Sequence, residues 1–138
     1  MTFVHLANLM QNWGWEVKHE HYTAFCDYLH IMLKRNRVFV VMEDEIIIAV
    51  CIYYLTDDFT KLYKKGTWDV VPDDPNGHQM YIDKLVCKRW TKQARKAVKQ
   101  AIRDTFPQVA EAYYHRAPKD RCVKILRGDK RELQSTIS

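Results

Sequence analysis

Two runs rich in β-branched and aromatic residues, VFVVM (38–42) and IIIAVCIYYL (46–55), constrain this fold more than any other feature. Such residues suit a pleated, half-buried surface. Only Glu43-Asp44-Glu45 separates them, too short a joint for a crossover, so the runs pair antiparallel as a hairpin. The second run is apolar on both faces, and that pattern demands an interior strand covered on each side. The chain must therefore place other elements above and below one sheet.

Helical spacing supplies candidates. Residues 20–35 carry Tyr22, Phe25, Cys26, Leu29, Met32 and Leu33 at steps of three and four, an amphipathic helix. Lys34, Arg35 and Arg37 follow at its C-terminal end, where the dipole favours cations. The N-terminal segment, 1–19, has Phe3, Leu6, Leu9, Met10 and Trp13 on a short helix that Gly14 stops. Residues 90–105 place Trp90, Ala94, Ala97, Val98, Ala101 and Ile102 on one stripe, and Phe106-Pro107 ends that helix.

The rest is read from turn chemistry. Gly66, Pro72, Pro75 and Asn76-Gly77 make 56–78 a loop region, with a short strand at 67–71. QMYIDKLVC (79–87) is a strand whose alternation breaks at Asp83 and Lys84. VAEAYYH (109–115) is another. Pro118 and Gly128 bracket a third short helix, and 129–138 is an edge strand or tail. The whole is one α+β domain, 1–138, with a mixed, mostly antiparallel sheet flanked by helices.

Composition narrows the partners. The net charge of +5 favours an anionic one: an acidic protein, a phosphate-bearing cofactor or nucleic acid. No apolar run reaches membrane-spanning length, and the N-terminus lacks the basic and small-residue regions of a secretory signal, so a cytoplasmic location is expected. Cys26, Cys51, Cys87 and Cys122 are scattered without ligand spacing, so they read as reduced thiols and no metal is expected.

A hairpin, then the strand 80–87, the basic segment Lys88-Arg89-Trp90-Thr91-Lys92-Gln93-Ala94, a helix, and a strand ending Tyr113-Tyr114-His115-Arg116 together resemble the GNAT superfamily of acyltransferases over roughly residues 20–128. Tyr81-Ile82-Asp83 followed by Phe106-Pro107 resembles the toxin-activating lysine acyltransferases. The basic helix, aromatic strand and following Lys-rich helix, residues 88–128, are similar to the GNAT-like internal virion proteins of tailed phages, which are structural. The resemblance implies an acyl-CoA or acyl carrier protein as donor. Donor binding would fall to Cys87, Arg89, Thr91, Lys92, Gln93 and Ala94, where backbone N–H groups at a helix start meet phosphates. It also implies catalytic roles for Asp83 and His19, and for Tyr114 as general acid. The family's phosphate loop carries glycines, and 89–94 carries none. The toxin-activating branch likewise lacks them and takes its acyl group from acyl carrier protein.

Three functions follow. The first is transfer of an acetyl or longer acyl group to an amine, a protein lysine above all. The second is an inactive GNAT-like structural protein that meets other virion proteins. The third is a nucleic-acid-binding module built on Lys84, Lys88, Arg89, Lys92, Arg95, Lys96, Lys99 and Arg103. Each feature also has a plainer role. Asp83 points to solvent or pairs with Lys84 or Arg103, His19 and His21 sit on the surface, Tyr113 and Tyr114 pack, and the basic residues form a solvated helix face.

Overall fold

The computed structural model describes residues 1–116 and 121–126. The elements are α1 (Phe3–Asn12), α2 (Tyr22–Lys34), β1 (Val38–Glu43), β2 (Ile46–Thr56), β3 (Gln79–Cys87), α3 (Lys92–Thr105), β4 (Glu111–Arg116) and β5 (Arg121–Leu126). Single 3₁₀ turns occupy His19–His21 and Phe59–Lys61. The five strands form one mixed sheet in the order β1-β2-β3-β4-β5. Only β3 and β4 run parallel, and α3 supplies the crossover that parallel neighbours require.

The hairpin forms as its sequence demands. Asp44 and Glu45 both take left-handed φ values, 51° and 65°, which match a two-residue turn to the twist of its strands. β2 lies inside the sheet and divides its side chains between two cores. Ala49, Cys51, Tyr53 and Leu55 face α3, packing with Val98 and Ile102. Val50, Ile52 and Tyr54 face α1 and α2, packing with Leu6, Met10, Phe25 and Leu29. Helices thus cover both faces, and the doubly apolar pattern of β2 is explained.

Two expectations are corrected. Residues 121–126 form strand β5, antiparallel to β4, not a helix over 118–128. Val123 and Ile125 are β-branched and alternate with exposed Lys124, and the open edge of β4 offers hydrogen bonds that a one-turn helix cannot match. Residues 67–71 form no strand, because side chains use their backbone groups. Lys84 takes the carbonyl of Thr67, Lys65 that of Asp69, and Arg35 that of Val71. The suggested edge strand or tail at 129–138 lies outside the described residues.

The long connection between β2 and β3 is tied down by Asp73. One carboxylate oxygen accepts from Leu55 N–H at 2.7 Å and the other from Arg37 Nε at 2.8 Å. Next to it, Gly77 is buried against the backbone of Thr56, and a Cβ there would lie 2.4 Å from Thr56 N and O. Because the obstruction is backbone, Gly77→Ala should cost about 1–3 kcal/mol by overpacking. Urea denaturation would show it as a lowered midpoint with unchanged slope.

Candidate functional site

The broken alternation of β3 is a β-bulge. Ile52 pairs with Lys84, yet the next residue, Tyr53, pairs with Ile82, so Asp83 is the extra residue. Before it, Met80 and Ile82 face α3 while Tyr81 faces α1 and α2. The bulge then turns Asp83 and Lys84, although adjacent, to the same side, where both meet Tyr28 of α2. Past Ile82, paired with Tyr114, β3 and β4 no longer pair, although both strands continue. A cavity of about 370 Å³ occupies the opening. Asp83, Lys84, Leu85 and Cys87 of β3 line it with Tyr114 of β4, Trp15, Lys65 and Trp90.

Charge at this cavity is concentrated and buried. Asp83 Oδ2 accepts the Tyr28 hydroxyl at 2.6 Å and meets Lys65 Nζ at 2.8 Å and Lys84 Nζ at 3.3 Å. The Asp83, Lys65 and Lys84 side chains are each at most 5% exposed, so solvent screens them little. Lys65 also donates to the carbonyls of Gly66 and Asp69, both at 2.9 Å. Lys84 donates to the carbonyl of Thr67 at 2.6 Å and lies 5.0–5.7 Å from the ring centres of Tyr28, Trp68 and Trp15. Burial pushes the Lys84 ammonium down to about 8, against the pull of Asp83 and with the help of neighbouring Lys65. Burial, then the charge of Asp83, holds the Tyr28 hydroxyl well above its ordinary value.

The sequence candidates fall in three places. Asp83, Cys87 and Tyr114 share the cavity. Arg89, Thr91, Gln93 and Ala94 line a separate groove of about 390 Å³ at the start of α3, and Lys92 is the exposed first residue of that helix. His19 is exposed in its 3₁₀ turn and borders neither space, and none of the three groups bonded to Asp83 is a histidine. Asp83 does not point to solvent, and Lys84 leaves the basic surface cluster, since both are buried. Trp90 precedes α3 yet packs against the same core as its apolar stripe, and its ring meets Tyr114 edge-on at 5.7 Å. Tyr113 stacks on Phe59 and donates to Glu111 in a very short bond.

The groove at α3 carries acid as well as base. Thr91 caps the helix, its Oγ1 accepting Ala94 N–H at 3.1 Å. Glu43 reaches over from the hairpin and accepts Gln93 Nε2 at 2.8 Å, and Asp44 lines the same wall. Among the described residues, no group of three or more His, Cys, Asp or Glu stands close enough to hold a metal ion, and no helix is long and apolar enough to cross a membrane.

Lys65, Tyr28, Trp15 and Trp68 escaped the sequence reading. The signal that could have found them was the pair of adjacent charges inside an apolar strand, which marks a bulge and demands buried partners. No protein-family model and no curated protein sequence matches this chain.

The lowered Lys84 value has a definite sign. Between about 8 and the ordinary lysine value of 10.5, the unfolded chain binds more protons than the folded one. The stability Lys84 contributes is therefore full above that window and lost as pH falls through about 8. Relative to Lys84→Met, the wild type should gain of order 1–3 kcal/mol between pH 7.5 and 10. Urea midpoints of both proteins across that range check it, and a constant gap would show that Lys84 is not held neutral by burial.

Proposed function

We propose that this chain is a GNAT-like domain that keeps the scaffold without the acyl-transfer chemistry and serves as a structural component, as GNAT-like internal virion proteins do. The observation that carries this reading is the occupied start of α3. Where a donor's pyrophosphate would need positive potential, Glu43 already takes the Gln93 amide and Asp44 stands beside it. A second anion there meets like charge. The loop has no glycine to let phosphate approach the backbone, and Trp90 turns inward onto Tyr114. Asp83, the base the family resemblance nominates, has one oxygen already shared by three donors. The likeness to virion proteins rests on the basic helix and the aromatic strand that follows it. It is a fold-level analogy.

The opening between β3 and β4 favours a second reading, transfer of an acyl group to an amine. Its cavity brings Asp83, Cys87 and Tyr114 together, where donor and acceptor would have to meet.

Thermal unfolding with free CoA, acetyl-CoA and palmitoyl-CoA separates the two. A ligand selective for the folded state must raise the midpoint once its concentration exceeds Kd. The structural reading expects no rise with any of them. A saturable rise that Glu43→Gln enlarges would overturn it in favour of the enzyme. Mass spectrometry of gradient-purified phage particles, where a phage encodes the chain, should find it as a stoichiometric component.

A further inference from the structure

Two lysines with buried side chains, Lys65 and Lys84, line the cavity between β3 and β4 with their nitrogens held by backbone carbonyls, and Lys84 is the one with an N–H position to spare among the described residues. A protonated amine carries three N–H groups. Here two positions are taken, by the Thr67 carbonyl and by Asp83 Oδ2. Among the described residues no oxygen accepts a third, and the rings of Tyr28, Trp68 and Trp15 stand 5.0–5.7 Å from the nitrogen. A neutral amine satisfies this arrangement completely, with two donors used and its lone pair free. The cavity it borders is walled by Trp15, Leu85, Trp90 and Tyr114. Lys65, also on that wall, spends its three N–H groups on Gly66, Asp69 and Asp83, so it has none to offer an incoming anion.

We propose that Lys84 is a covalent capture site for a small uncharged aldehyde, aromatic or aliphatic, which enters the cavity between β3 and β4 and condenses with Nζ. The nitrogen lone pair forms the C–N bond while the carbonyl π pair moves to oxygen. Protons pass from nitrogen to that oxygen, which leaves as water and gives the imine. No oxidant or reductant takes part. The volume of about 370 Å³ admits a one-ring compound and not a long chain. The apolar walls and the fully engaged Lys65 select against a charged one. Asp83, Lys65 and Tyr28 are the charged and titratable groups bonded or paired around the nitrogen, with Tyr81, Cys87 and Tyr114 elsewhere on the cavity wall. Burial among them lowers the Lys84 ammonium to about 8, so far more of it is unprotonated at pH 7.5 than of an exposed lysine. The inference does not rest on whether the scaffold transfers acyl groups.

The test is reductive trapping of the full chain with benzaldehyde and cyanoborohydride at pH 7.5, followed by peptide mass spectrometry. Labelling at Lys84 should exceed that at exposed Lys92 and Lys96 by on the order of 100-fold, and the preference should vanish in urea. 4-Carboxybenzaldehyde should label Lys84 several-fold less than benzaldehyde. Adducts on the exposed lysines with Lys84 untouched would overturn the capture site, as would a preference that survives urea. Equal labelling by the two aldehydes would overturn the selection for an uncharged ligand. All arms use the unaltered protein, so none depends on whether a variant folds.

Discussion

A β-strand sends successive side chains to opposite faces, and one inserted residue is enough to break that rule. In β3 the insertion at Asp83 turns a carboxylate and an ammonium to the same side of the sheet. Both lie where α1 and α2 cover the sheet, with side chains at most 5% exposed. Buried charge is tolerable only when paired and hydrogen-bonded. The Tyr28 hydroxyl on α2 and Lys65 in the β2–β3 connection meet that demand. The connection therefore runs close to the sheet, its carbonyls at Gly66, Thr67 and Asp69 turned toward the two ammonium groups. Pairing between β3 and β4 also ends beside the bulge. One insertion thus accounts for the irregular loop, the polar cluster and the cavity.

Two lysines and one aspartate do not balance. The cluster is richest in positive charge if both amines are protonated, and burial without full compensation lowers the Lys84 value. The aromatic rings around it soften the cost of a charge, while desolvation outweighs the pull of Asp83. The groove at α3 shows the opposite sign of design. There exposed bases are answered by Glu43 and Asp44 from the hairpin, so a helix start that could attract an anion is partly neutralised within the chain. A cavity with a basic edge and a helix start with an acidic neighbour are poor partners for one phosphate-bearing donor.

The hairpin, α1, α2 and the body of α3 were legible because their signals are local and periodic. Gly14, at φ 104°, stops the first helix as its residue type foretells. Residues 118–128 misled because Pro118 and Gly128 are equally at home at helix ends and beside tight turns. Only the free edge of β4 decides that Val123 and Ile125 join a sheet. Asp83 was legible as a special residue, and its partners were not. Lys65 and Tyr28 are 18 and 55 residues away from it in sequence, and no spacing rule links a loop lysine to a strand carboxylate.

By itself, then, the sequence determined an α+β chain with an interior apolar strand, helices on both faces and two charges interrupting a strand. Those features follow from residue size, branching and period, which act over a few neighbours. The tertiary structure decided which face the interrupting charges take, who pairs with them, where β3 and β4 part, and what acid faces the start of α3. These depend on groups far apart in the chain meeting in a medium of low dielectric, where a shift of one residue in register exchanges solvent for core.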